Sequence, residues 1–302
     1  MNNLIVLVGL PASGKSTFAK EKLANEETIV LSSDELRKEL LGDESCQTNN
    51  ELVFSTLYAR AKENLLNGKD VVIDATNINM KDRRRTLSHF QGMDIKRVAL
   101  VFATPINVCY ERDSKRDRVV GMEVIDKFLY RFEFPMEYEG FNKIEIVRCN
   151  NFYDCEDLKS LTIGYDQKNP HHKYTLDKHC LNCFLRIKDL TKNENLITAS
   201  SWHDIGKAFT QTFDEQGVAH YYSHHNVGAY ILMCSNLPVN DDKLKEILFY
   251  VNLHMNPFFW KEEKTHDKYR KLFGEELYNN LMLLNECDKF ASGTHTDPKI
   301  KI

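Results

Sequence analysis

The sequence predicts two domains of different class, an α/β domain whose parallel sheet is flanked by helices and then an all-helical domain. Short apolar, β-branched runs recur at "LIVLV", "TIVLS", "VVIDA", "RVALVFA" and "IEIVRC" and alternate with helical patterns such as "NELVFSTLYARAKENLLNG". Strands alternating with helices in this way pair in parallel. Beyond residue 168 such runs become few and helical periodicity dominates. Histidine follows the same division, since of eleven only His89 precedes residue 170. The polar stretches "NNFYDCEDLKS" and "GYDQKNP" fall between, so domains are expected over 1–150 and 169–302, joined by a linker over 151–168.

Composition narrows the setting. A chain of 302 residues, 42% hydrophobic and 28% charged, has room for two ordinary globular cores. No apolar run approaches a membrane span, and the first apolar stretch ends in a glycine-rich loop rather than a signal-peptide cleavage site, so a cytoplasmic protein without membrane contact is expected. The eight cysteines form no disulfide-like framework, and Cys180 and Cys183 make one CxxC without a second pair, which predicts reduced thiols. A formal net charge of -4 gives no global attraction to nucleic acid, so any such binding must rest on local basic patches. The oligomeric state is not legible.

The elements are taken in order. The first strand, Leu4 to Val8, leads into "GLPASGKST", in which Gly9, Gly14, Lys15 and Ser16 have the spacing of a phosphate-binding loop, and "TFAKEKLA" continues as a helix. Backbone amides converge on phosphate oxygens, the helix presents its positive dipole end, Lys15 supplies a cation and the Ser16 hydroxyl can ligate magnesium. The expected nucleotide-binding set is Gly9, Ser13, Gly14, Lys15, Ser16 and Thr17; a chance glycine-rich turn is the plainer alternative. After the second strand comes "SSDELRKEL", where Asp34 can accept the proton of an attacking hydroxyl and Arg37 can hold an acceptor phosphate. Asp34 could equally be a helix N-cap. The third strand ends in "VVIDATN", with Asp74 as a second magnesium ligand or simply a strand-end acid in a turn. "ERDSKRDR" follows, whose Arg112, Lys115, Arg116 and Arg118 would crowd one side of a helix, either as a basic lid over the transferring phosphoryl group or as a solvated face.

In order and spacing, "GLPASGKST", "SSDELR", "DATN" and "RDSKR" resemble the 5′-hydroxyl polynucleotide kinase family of P-loop phosphotransferases over residues 1 to about 150. The resemblance implies ATP and magnesium at Lys15 and Ser16, Asp34 as general base, Arg37 on the acceptor phosphate and Arg116 as a lid arginine on the nucleotide. Some members place an acid directly before the Thr-Asn pair, where this chain has Ala75 and carries Asp74 one place earlier. Related P-loop kinases of tRNA or small molecules share much of the pattern.

In the second half, "SSWHDIGKAFT" places His203 beside Asp204, and an imidazole and a carboxylate so placed can converge on a metal with ligands from neighbouring helices. Candidates are His179, His224 or His225, His254 and Asp288. Each alone could be a core histidine or a paired acid. The series resembles the all-helical HD-domain metal-dependent phosphohydrolases over about 169 to 292. The spacing to Gly228 and Ala229 favours His224 over its neighbour. Lys207 is expected on a phosphate, since an ammonium cannot coordinate metal. The doublet His266–Asp267 lacks the apolar flanks of the first and is expected on the surface. Six ligands suit two divalent ions and four suit one, drawn from Mn²⁺, Fe²⁺, Ni²⁺, Co²⁺ or Zn²⁺.

Together the two resemblances imply a bifunctional end-healing enzyme acting on RNA or DNA ends, with an NTP-dependent 5′-OH kinase and a 2′,3′-cyclic phosphate or 3′-phosphate phosphohydrolase, leaving ends for a downstream ligase. Alternatives are a nucleoside, small-molecule or tRNA kinase fused to a nucleotide phosphohydrolase, and an NTP-gated RNA-binding switch.

Overall fold

The computed structural model describes residues 1–294; the expected end of the second domain at 302 lies outside the described residues. The chain forms two compact units. One comprises Met1–Phe128 and Pro135–Asn151; the other comprises Leu129–Phe134 and the described chain from Phe152 onward.

In the first unit all five apolar runs are strands: β1 Asn2–Val8, β2 Thr28–Ser32, β3 Asp70–Asp74, β4 Ile95–Ala103 and β5 Lys143–Arg148. They form one parallel sheet in the order β2-β3-β1-β4-β5. The central strand reads as a continuous apolar run because both its faces are covered, and Leu4, Val6, Leu7 and Val8 are fully buried. Leu7, Val72, Val98, Leu100 and Phe102 pack with Ala19 in the core. The register pairs Val6 with Ile73, Ser32 with Asp74 and Val8 with Val101. The strand carboxyl ends therefore meet at one edge, where sheets of this kind bind ligands.

Helices connect the strands. α1, Lys15–Phe18, widens into a π-turn over Ala19–Leu23, and α2 spans Ser33–Leu41. α3, Asn50–Leu66, buries Val53, Leu57, Tyr58, Ala61 and Leu65, one stripe at helical spacing, and is capped by the Asn49 side chain accepting from Leu52 N. α4 is Met80–Ser88, α5 Ile106–Ser114 and α6 Met122–Leu129. Arg83 of α4 is fully buried and bidentate to Glu139, at 2.7 Å through both Nε and Nη2.

The second unit holds α7 Cys155–Ser160, α8 Leu176–Leu190, α9 Glu194–Trp202, α10 Lys207–Thr210, α11 His224–Met233, α12 Asp241–Leu253, α13 Glu263–Phe273 and α14 Glu275–Ala291. A small antiparallel hairpin, β6 Thr212–Phe213 with β7 Ala219–His220, is added to the expected helices. The stretch expected as a linker is built into this unit. It carries α7, and Tyr153 N donates to Cys234 O (2.9 Å) while Asn236 N donates to Tyr153 O (3.0 Å). All eight cysteines are free, with Cys180 and Cys183 buried. Among the described residues no helix is long and apolar enough to cross a membrane.

Candidate functional sites

The phosphate loop lies at the carboxyl end of β1. Gly14 takes φ 97°, a conformation that favours glycine, and a Cβ on Gly9 would stand 3.0 Å from Ser13 Oγ and 3.1 Å from Phe102 Cβ. The Gly9 amide donates to Thr76 O (3.1 Å) and the Ser13 amide to Leu10 O (3.2 Å), so both shape the loop. Lys15 is buried; its Nζ donates to Gly9 O (3.0 Å) and Leu10 O (2.7 Å). Burial lowers its pKa to about 8, against the opposing pull of the Asp74 carboxylate. Asp74 is buried too, which raises its pKa, and it hydrogen-bonds to the Ser16 side chain. The two oxygen ligands expected for magnesium are thus side by side. Asn77, at φ 44°, donates from Nδ2 to Leu7 O (2.9 Å), which ties the "DATN" turn to β1.

Ser32, not Asp34, caps α2: its hydroxyl accepts from Glu35 N at 3.4 Å, so the capping alternative for Asp34 falls away. Asp34 lies in the first turn with its carboxylate half exposed, 2.5 Å from Arg37 Nη1. Arg37 is buried; Nε and Nη2 donate to Asn50 Oδ1 (3.3 and 3.2 Å), and the guanidinium lies 5.9 Å from the Phe54 ring centre. A cavity of about 440 Å³ opens here, lined by Arg37, Asn50, Glu51, Phe54, Thr76 and Arg85.

The basic run is not one helix face. α5 ends at Ser114 with Lys115 as C-cap, and the buried Asp113 carboxylate accepts from Val120 N (3.2 Å) and Gly121 N (2.9 Å), folding the chain back. Arg112 Nη1 donates to Ser13 O (3.2 Å). Arg116 is exposed on the bend, close enough that its charge lowers the Lys15 pKa. Arg118 reaches Asp34 at 3.8 Å and Glu44 at 3.3 Å.

In the second unit six side chains from five segments converge. His179 lies on the buried stripe of α8 with Leu176, Cys180, Cys183 and Ile187, so the spacing that builds the core also aims its imidazole inward. His179 Nε2 stands 3.1 Å from His203 Nε2, from Asp204 Oδ2 and from Asp288 Oδ1. On the other side of Asp204, Oδ1 is 3.1 Å from His224 Nε2 and 3.5 Å from His254 Nε2, which lie 3.2 Å apart. Two ligand groups result, His179–His203–Asp204–Asp288 and Asp204–His224–His254, sharing Asp204. Three histidines donate from Nδ1 to backbone carbonyls: His203 to Ser200 (2.8 Å), His224 to Tyr221 (2.7 Å) and His254 to Val251 (2.8 Å). Each bond fixes the ring and leaves Nε2 for coordination. The facing imidazole nitrogens and the two carboxylates bring their lone pairs together around shared points, and this donor set fits divalent transition metals. Burial works against charge on Asp204, but Lys207 and His203 outweigh it and hold the carboxyl well below its usual range. Burial likewise disfavours His203⁺, yet Asp204 and its neighbours hold that imidazole well above its ordinary value.

Lys207 Nζ is 2.7 Å from Asp204 Oδ2, 3.0 Å from Gln167 Oε1 and 3.1 Å from His172 Nε2. Gln167 and His172 escaped sequence reasoning because they sit in irregular chain without periodicity. His225 packs its ring 5.6 Å from that of His224, outside both ligand groups. His266 is half-buried rather than on the surface, 2.8 Å from Tyr278 Oη and 3.2 Å from Trp260 O, while Asp267 pairs with Arg270 at 2.8 Å; the doublet is structural.

A parallel sheet with a phosphate loop at its carboxyl edge, and a helical unit with paired histidine–carboxylate clusters, define a phosphate-loop nucleotide-binding domain joined to a helical domain with the donor set of a metal site. Residues 4–135 match the family described as an AAA domain, and residues 176–293 match the HD domain family. The chain is similar to L-seryl-tRNA(Sec) kinase of Methanococcus maripaludis, 32% identical over 143 residues, covering 44% of this chain and 53% of that protein. It is also similar to the bifunctional polynucleotide phosphatase/kinase of Schizosaccharomyces pombe, 25% identical over 159 residues, covering 51% of this chain and 35% of the relative. The chain thus spans about half of the first relative and about a third of the second. A solved RNA repair complex of Pnkp1, Rnl and Hen1 aligns at 26% identity over 42% of each chain with a TM-score of 0.38, too slight a likeness to bear on function.

Proposed function

We propose that the chain is a bifunctional nucleic-acid end-healing enzyme, a 5′-OH polynucleotide kinase joined to a 2′,3′-cyclic phosphate or 3′-phosphate phosphohydrolase. The observation that carries the kinase reading is the Asp34–Arg37 pair beside a nucleotide-sized cavity, at the edge where Ser16 meets Asp74. In this reading the acceptor hydroxyl oxygen bonds to the γ-phosphorus as the bond to the bridging oxygen breaks and the diphosphate leaves. Asp34 takes the hydroxyl proton, Arg37 holds the acceptor's phosphate, and Lys15 with Arg116 offsets charge on the transferring group. Ser16 and Asp74 would hold magnesium, which neutralises phosphate charge.

In the helical unit, the two ligand groups sharing Asp204 would hold two divalent ions, which supply Lewis acidity and an activated water. Lys207, in reach of His172 and Gln167, would steady the substrate phosphate at their edge. A second reading, a kinase of tRNA or a small molecule, has its own support in the likeness to L-seryl-tRNA(Sec) kinase. The Asp34–Arg37 pair and the two ligand groups sharing Asp204 speak against a switch without chemistry.

An acceptor panel with labelled ATP decides between the two enzyme readings: a 5′-OH oligonucleotide, an aminoacylated tRNA and free nucleosides. Preferred labelling of the oligonucleotide end is expected, and preferred labelling of either other acceptor would replace the proposal. Asp34→Ala should lower turnover by about 10²-fold or more with ATP binding retained. Full turnover in that variant would remove Asp34 as the base.

A further inference from the structure

A second cavity adjoins the one beside Arg37. It measures about 490 Å³ and is lined by Arg84, Arg85, Arg97 and Glu139 together with Leu87, Ser88, Gln91 and Gly140. Arg85 lines both, so the two cavities share a wall along α4. The only carboxylate in this lining, Glu139, is neutralised by its bidentate bond to Arg83. Arg97 Nη2 donates to the carbonyls of Phe90 (2.7 Å) and Met93 (3.4 Å), neutral acceptors that leave its positive charge uncompensated and N–H donors to spare for a ligand. Arg84 and Arg85 are exposed, and among the described residues neither has an ion-pair partner. Cationic side chains held together without counter-charge repel one another, and a polyanion relieves that cost.

We infer that this second cavity takes the phosphodiester backbone of a single-stranded polynucleotide beyond its 5′-terminal nucleotide. The inference rests on the kinase reading and deepens it. The terminal nucleotide would occupy the cavity lined by Arg37 and Phe54, an aromatic ring and a cation suited to a base and its phosphate. Arg85 would meet the next phosphodiester, and Arg84 with Arg97 the one after. A mononucleotide would fill the first cavity alone. The arginines of the second serve only a ligand that carries further phosphates, so they favour a strand over a nucleoside as acceptor.

The test uses the full chain and 5′-OH oligonucleotides labelled at the 3′ end, of two and of eight nucleotides, with binding followed by fluorescence anisotropy over a range of salt concentrations. The octamer should bind ~10-fold or more tightly than the dinucleotide at low salt, as expected when additional phosphates are neutralised. Arg84→Gln should reduce that length advantage and lower the salt slope for the octamer by about 0.7, the loss of one phosphate contact on a single strand. Arg84→Glu should reduce both further. Length-independent binding by the wild type, or an unchanged ratio and slope in both Arg84 variants, would overturn the inference. Phosphorylation of the same octamer by labelled ATP is scored separately. A protein that labels the octamer but binds both lengths alike would defeat this inference and leave the kinase reading standing. A length advantage carried by Arg84, with no labelling, would do the reverse.

Discussion

At the scale of single residues, the two sites use burial in opposite ways. Burial lowers the pKa of Lys15 to about 8, so its ammonium is charged at neutral pH and loses its proton under mildly alkaline conditions. A triphosphate favours the charged ammonium and raises that pKa. ATP affinity should therefore hold below about 8 and weaken as pH rises through it. Nucleotide titrations across that range check this, and Lys15→Met should flatten the dependence. At the histidine cluster, burial disfavours the charged imidazoles but carboxylates raise the pKa of His179 and His203 above the ordinary value, so a metal arriving there competes with protons. Metal must displace them, and affinity should rise as pH increases past the ordinary histidine value. Calorimetry in two buffers of different ionisation enthalpy should show proton release; a pH-independent affinity would contradict the assignment. Ser16, Asp34 and Asp204 stood out in the sequence as candidates because each belongs to a short motif of adjacent letters. His172 and Gln167 reach Lys207 from irregular chain, and no local pattern announces such contacts.

At the scale of elements, two glycines explain how the helical site closes. A Cβ on Gly206 would stand 1.9 Å from His224 O and 2.7 Å from Gly228 N, so the start of α10 and the first turns of α11 touch backbone to backbone. Gly206→Ala should force these helices apart, costing ~1–3 kcal/mol or more by overpacking and displacing His224 from Asp204. Thermal denaturation should show a destabilised second unit, and metal content should fall while kinase activity persists. Unchanged stability and metal content would show that the approach is not needed. The five strands and the buried stripe of α8 could be read directly, because apolar period reports burial. The end of α5 could not. Asp113 recruits the amides of Val120 and Gly121 from further along the chain, and that preference is invisible in a run of charges. The contacts of the stretch expected as a linker were hidden for a similar reason: its polar letters do not announce the backbone bonds from Tyr153 to Cys234 and Asn236.

At the scale of the whole molecule, the division into a histidine-poor and a histidine-rich half was visible because the ligand groups of the second unit are built from histidines and the phosphate loop of the first uses none. The excursion of Leu129–Phe134 into the second unit was not. It is held by Asn252, which accepts from Phe134 N (2.7 Å) and donates to Phe132 O (3.1 Å), and by the edge of Phe132 against Tyr230. Such bonds join residues far apart in sequence and leave no periodic trace. Each unit has its own core and its own charge centre, so removing one centre should leave the other's electrostatics intact. A single RNA strand bearing a 5′-OH and a 2′,3′-cyclic phosphate tests this most directly, incubated with ATP, magnesium and a divalent transition metal and analysed at both ends. The wild type should phosphorylate the 5′ end and open or remove the phosphate at the 3′ end, Lys15→Ala should alter only the 3′ end, and Asp204→Ala only the 5′ end. Efficient phosphorylation of free nucleosides, with both ends of the strand left intact, would contradict the account.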